Sequence, residues 1–234
     1  MGADDELRDD VSVHSRPGWW RGQSPPRYAP DAPPAGMLVS GPVTSIDLDA
    51  TGSHAGGLRG VHFFRAAVSG VELWLNDIDL VVEWSEFDNC HFRQRVRPVL
   101  NEYGIAAQGS FANRPAVYRN CTFERIRFKI LGGFSTGAGR FENCTFLNCR
   151  WEGHFGYDAD LIGCRFVGRM NGCVWGGTGL EEDSRGRGRR NVITANDFTE
   201  VTFTDNVGWR RDFPVAHQIW PAGFVPVVDA AINS

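Results

Sequence analysis

Six cysteines each stand two residues before an aromatic: Cys90-His-Phe92, Cys121-Thr-Phe123, Cys144-Thr-Phe146, Cys149-Arg-Trp151, Cys164-Arg-Phe166 and Cys173-Val-Trp175. Thiols can bind zinc, form disulfides or attack electrophiles. Zinc requires converging ligands, usually spaced two to four residues apart in pairs. Only Cys144 and Cys149 are close, and at five apart they fall on adjacent faces of the architecture argued below. Residues two apart on an extended chain point the same way. Each pair therefore offers one small and one large side chain to one interior. The thiols are expected to be reduced and buried, with no metal and no cofactor.

The histidines are His14, His54, His62, His91, His154 and His217, with no His-x-His or HExxH spacing among them. His62 and His91 precede inward aromatics and should face outward. The segment WEGHFGYDAD, Trp151 to Asp160, is the densest polar cluster. Glu152, His154, Tyr157, Asp158 and Asp160 could set an acid, a base and hydrogen-bonding groups along one edge. A polar, glycine-rich turn accounts for them equally. They are the chain's weak catalytic candidates.

Charge is laid out in blocks. Glu72, Asp77, Asp79, Glu83, Glu86 and Asp88 fall between Ala66 and Phe92 with no Lys or Arg among them. Arg93, Arg95, Arg97, Arg114, Arg119, Arg125, Arg127 and Lys129 then face only Glu102 and Glu124. One reading is ordinary solvation of alternating faces. The other is a dipolar surface, with the six carboxylates as an acidic binding face beside a basic loop. GGTG (Gly176–Gly179) and GRGRR (Gly186–Arg190) lack the strand-to-helix context of a phosphate loop. A net charge of -4 and a pI near 5.9 give no general affinity for nucleic acid.

The elements that must position these residues show a period of five. Leu48, Ser53, Leu58, Phe63, Val68, Leu73 and Ile78 are five apart; after a slip of one, Val82, Phe87 and Phe92 continue. Two residues before these stand mostly small or apolar residues, Val61, Ala66, Val71, Leu80, Ser85 and Cys90 among them. The pattern resumes at Ala116/Tyr118 and runs, with breaks, to Val201/Phe203. Neither a helical period nor simple alternation explains it. A stacked solenoid does.

The runs FDNCHF, YRNCTFERIRF, FENCTFLNCRW, LIGCRF and NDFTEVTF resemble the pentapeptide-repeat-like family over about Leu48 to Phe203. Aromatics replace its usual leucines here, and cysteine much of its alanine. The resemblance implies an all-β fold, a right-handed, square-sectioned parallel β-helix with four five-residue units per coil. Roughly six coils at ~4.8 Å would give a rod on the order of 30 Å long. Some members are acidic rods that mimic duplex DNA and bind type II topoisomerases such as gyrase. Parallel β-helices also host carbohydrate enzymes, a fold analogy only.

The expected organisation has a tail over 1–36, a β-helix over 37–205 and a capping segment over 206–234 with dimerisation as a second role. Loops are expected over about 95–115 and 176–190. The tail is rich in Pro and Gly; its Trp19-Trp20 pair either docks on the domain or binds a partner. The N-terminus is acidic and carries no apolar run, and none of the chain approaches the ~20 apolar residues a membrane helix needs. The cytoplasm is therefore the expected compartment. The favoured function is a non-catalytic protein-interaction or scaffold module, with the six carboxylates, Trp19 and Trp20 as partner contacts and no direct nucleic-acid or membrane binding. A gyrase-type binder and an enzyme are the alternatives.

Overall fold

The computed structural model describes residues 37–46, 59–75, 78–94, 109–129, 133–182, 188–210 and 212–227. They form parallel strands with no α-helix. Every ladder among them is parallel except one short hairpin. The chain winds as a four-faced parallel β-helix, and equivalent residues of successive coils sit in register.

The second face shows the register plainly. Val43, Val68, Phe87, Tyr118, Phe141, Leu161 and Ile193 form one column of paired positions. On the third face Leu73, Phe92, Phe123, Phe146 and Phe166 do the same. Phe198 and Trp220 extend that column at ring separations of 4.6 and 4.9 Å. The fourth face stacks Phe128, Trp151, Met170 and Phe203. The first face runs through Val39, Phe63 and Val82, and beside them Leu80, Gly109 and Phe134 form a second paired column. It ends in a separate ladder, Gly156, Trp175 and Trp209.

The interior is built of these columns. Phe92–Phe123 and Phe123–Phe146 stack at 5.0 and 4.9 Å, while Phe87 meets Phe92 edge-on across the coil at 5.4 Å. Such ring pairs contribute about 0.5–1.5 kcal/mol each beyond area burial. Beside the third-face rings runs a column of small residues, Cys90, Cys121, Cys144 and Cys164. Their Sγ atoms donate to Val68, Phe87, Tyr118 and Phe141 carbonyls one coil away, at 3.5, 3.6, 3.4 and 3.3 Å. Asn196 takes the next position and donates in the same way to Leu161 O at 2.9 Å. All six cysteines are buried and free.

Corners explain the asparagines. Asn89, Asn120 and Asn143 turn the second face into the third with φ of 52°, 53° and 53°. Asn tolerates that left-handed geometry better than most residues. Each corner N–H donates to the next coil: Asn89 N to Arg119 O at 2.9 Å, Asn120 N to Glu142 O at 3.0 Å.

Two expected loops are corrected. The segment from Gly109 is not part of a projecting loop over 95–115. Gly109–Ser110 is a strand of the first face, and Phe111 is fully buried. Its glycine reads as loop punctuation but serves close approach, because a Cβ there would stand 2.1 Å from Leu80 O. Residues 95–108 lie outside the described set. Likewise, 176–190 is not simply a flexible loop: Gly176 closes a coil strand, and Thr178–Glu182 pairs antiparallel with Gly188–Arg190.

Candidate functional site

The polar cluster of Trp151 to Asp160 does not form one edge. His154 occupies a small inward position and is fully buried. Its ring packs against Trp151 at 5.1 Å, Trp175 at 5.4 Å and Phe128 at 5.9 Å. Its side-chain polar neighbour is Thr136 Oγ1, 3.2 Å from Nε2. Burial holds the imidazole down at about 3, so it is neutral at physiological pH. A neutral, enclosed imidazole cannot exchange protons with a substrate on the rod's surface, which corrects the acid–base expectation for His154.

Asp160 sits on the outward side of the second face yet is fully buried. It accepts from Arg140 Nη1 at 3.2 Å, Arg189 Nη1 at 3.0 Å and Val192 N at 2.8 Å. Arg189 belongs to the hairpin and also donates to Asp158 O at 2.7 Å and Asn191 Oδ1 at 3.0 Å. Asn191 donates to the carbonyls of Tyr157 and Gly176. The Tyr157 ring lies so close to Gly176 that a Cβ there would fall 2.6 Å from it. Tyr157, Asp158 and Asp160 thus fasten the hairpin to the coil. Glu152 is half-exposed and accepts from Arg127 Nη2 at 2.9 Å.

The carboxylates read as an acidic face are spread over three faces. Asp79 and Glu83 lie on the first, Glu86 and Asp88 on the second, and Glu72 on the third. Four of them meet a donor on a neighbouring coil. Arg93 Nη1 is 3.0 Å from Glu72, His62 Nε2 3.1 Å from Glu83, Arg119 Nη1 2.9 Å from Glu86, and Asn120 Nδ2 3.0 Å from Asp88. The expected acidic face is therefore divided: the described carboxylates lie on three faces, and two of them, Glu72 and Glu86, pair with arginines of a neighbouring coil. Asp77, Trp19 and Trp20 lie outside the described residues.

Sequence reasoning missed a chain of alternating charge along the second face. Glu86, Arg119, Glu142, Arg140, Asp160 and Arg189 are linked by successive contacts of 2.9, 3.3, 2.6, 3.2 and 3.0 Å. The period of five could have located most of it, since Glu86, Arg119, Glu142, Arg140 and Asp160 each stand one residue before or after an inward aromatic or aliphatic residue.

The chain departs from the coil at the end of the first face, where Gly177 leads into the hairpin of Thr178–Glu182 and Gly188–Arg190, and Asn191 N returns to donate to Gly177 O at 2.9 Å. Residues 95–108 and 130–132, which precede the first-face strands at Gly109 and Phe134, lie outside the described set. Phe155 stands on that face at half exposure, 6.0 Å from the Tyr157 ring.

Among the described residues no group of three or more His, Cys, Asp or Glu could hold a metal ion, and no helix is long and apolar enough to cross a membrane. No protein-family model and no curated protein matches the chain. Solved structures of two trypsin-treated variants of QnrB1, described as a plasmid-mediated fluoroquinolone resistance protein, align with it. One variant is 12% identical over 80% of this chain and 91% of that one, with a TM-score of 0.23. The other is 13% identical over 83% and 92%, with a TM-score of 0.22. The parallel β-helix assignment rests on this chain's own strand register.

Proposed function

We propose that the protein is a non-catalytic interaction module that receives a protein partner on the side where the Thr178–Arg190 hairpin leaves the coil. The observation that carries this reading is the anchored hairpin Thr178–Arg190, which leaves the coil at the end of the first face, the face that carries the exposed Phe155. Insertions in stacked repeats commonly collect on one face, and that face is often the binding face. Of the residues considered for a catalytic edge, His154 and Asp160 are buried, Tyr157 and Asp158 hold the hairpin and Glu152 pairs with Arg127, which favours binding over chemistry.

A topoisomerase-binding acidic rod draws no support from carboxylates that are divided among three faces, two of them paired with arginines. Site-specific photocrosslinking from position 155, with position 145 on the third face as control, tests the proposal in cells. A discrete crosslinked protein from position 155 and none from position 145 is the expected result. Identical patterns from both positions would overturn it.

A further inference from the structure

The outward side of the fourth face breaks the charge rule of the other faces. On the second and third faces, opposite charges occupy neighbouring coils. On the fourth, Arg127, Arg150 and Arg169 stand in one column, paired in register coil to coil. Their backbones are about 4.8 Å apart at each step, the spacing of adjacent strands. Like charges directly opposite on neighbouring strands are unfavourable. Arg127 is matched by Glu152. Arg169 donates to the neutral Thr204 Oγ1, at 3.2 Å. The exposed Arg150 guanidinium meets no carboxylate among the described residues.

We infer that this arginine column is a binding surface for a carboxylate-rich polypeptide segment of the partner protein. Guanidinium forks pair with carboxylates in bidentate geometry, and a row of them on a flat sheet suits an extended acidic chain. Nucleic acid is the poorer fit. Around the column stand Thr202, Asn171, Gly153 and Gly172, which offer no aromatic platform for bases, and the chain as a whole is acidic. The corners at Gly153 and Gly172 carry no side chain, and a Cβ at either would meet at most one backbone atom, at 4.0 Å. An incoming backbone can approach there.

The inference rests on the protein-binding reading and names the chemistry of a second contact. The test is fluorescence anisotropy with the full chain and a labelled octaglutamate peptide, at ~20 and ~200 mM salt. Saturable binding is expected at low salt, weakened at high salt as screening shortens the reach of the charges. Arg150→Glu with Arg169→Glu should weaken it at least ~10-fold, while Arg190→Glu on the hairpin leaves it unchanged. The pair Arg150→Gln and Arg169→Gln should also weaken binding without lowering the melting temperature, which separates a binding role from a structural one. Absence of binding, or equal binding by the charge-reversed variant, would overturn the inference. Tighter binding of an oligonucleotide of equal length would overturn it in favour of nucleic acid. If the arginine variants change nothing while position 155 still crosslinks a partner, only this inference falls.

Discussion

Arg119 lies 2.9 Å from Glu86 across one coil, although 33 residues separate them in the chain. The same guanidinium reaches Glu142 on the other side at 3.3 Å. A double-mutant cycle of Glu86→Gln and Arg119→Gln should give a coupling of roughly 0.5–1 kcal/mol, because both groups are partly solvated. Urea melts at low and high salt check it; the coupling should shrink as salt rises. Arg119→Gln alone should cost more than Glu86→Gln, since it abandons two carboxylates.

Asp160 is the more consequential member of that chain. Asp160→Asn removes the charge between two arginines, one of them buried, and should destabilise by about 3–5 kcal/mol. The hairpin should loosen with it. Limited trypsin digestion, followed by mass spectrometry, should show faster cleavage after Arg189 and Arg190 than in the wild type.

His154 predicts an acid-sensitive fold. Its imidazole is held at about 3 in the folded state against 6.5 when exposed. Between these values the unfolded chain binds a proton that the folded chain refuses, so stability is complete above about pH 6.5 and falls as pH drops toward 3. One such group contributes a slope of up to about 1.4 kcal/mol per pH unit. Urea melts from pH 7 to pH 4 should show it, and His154→Phe, if it folds, should flatten it.

The thiols predict the opposite limb. Burial pushes Cys144, Cys149 and Cys173 above their usual value near 9.0. Above pH 9 the unfolded chain sheds protons that the folded chain keeps, so stability is lost as pH rises. Native protein should react slowly with a thiol-specific disulfide reagent, and denatured protein should expose six thiols. Cys144→Leu should overpack its column and cost ~1–3 kcal/mol, measured by chemical denaturation.

The coil was readable because each five-residue unit commits two side chains to the interior. Counting by fives from Cys144 passes through Cys149 and arrives at His154, Ala159 and Cys164. The same count would have placed His154 inside, whereas its chemistry set it among the residues expected on an edge. The pairing of acidic and basic blocks was harder to see. It depends on coil length, which runs from 20 residues between Arg140 and Asp160 to 31 between Glu86 and Val117, so charges twenty or thirty residues apart become neighbours. The arginine column was hidden for the same reason: Arg127 and Arg150 are 23 residues apart, and Arg150 and Arg169 are 19.

The hydrogen bonds between coils all run along the axis of the rod, and this gives the molecule a mechanical grain. Tension between its ends loads the coils in series, so the rod parts where fewest faces are joined. Among the described residues the pairing narrows at the C-terminal end to one parallel bridge, Asp197 to Ile219. A pull from the two ends should open the rod at that level first, leaving the cysteine column from Cys90 to Cys164 intact on one side of the break.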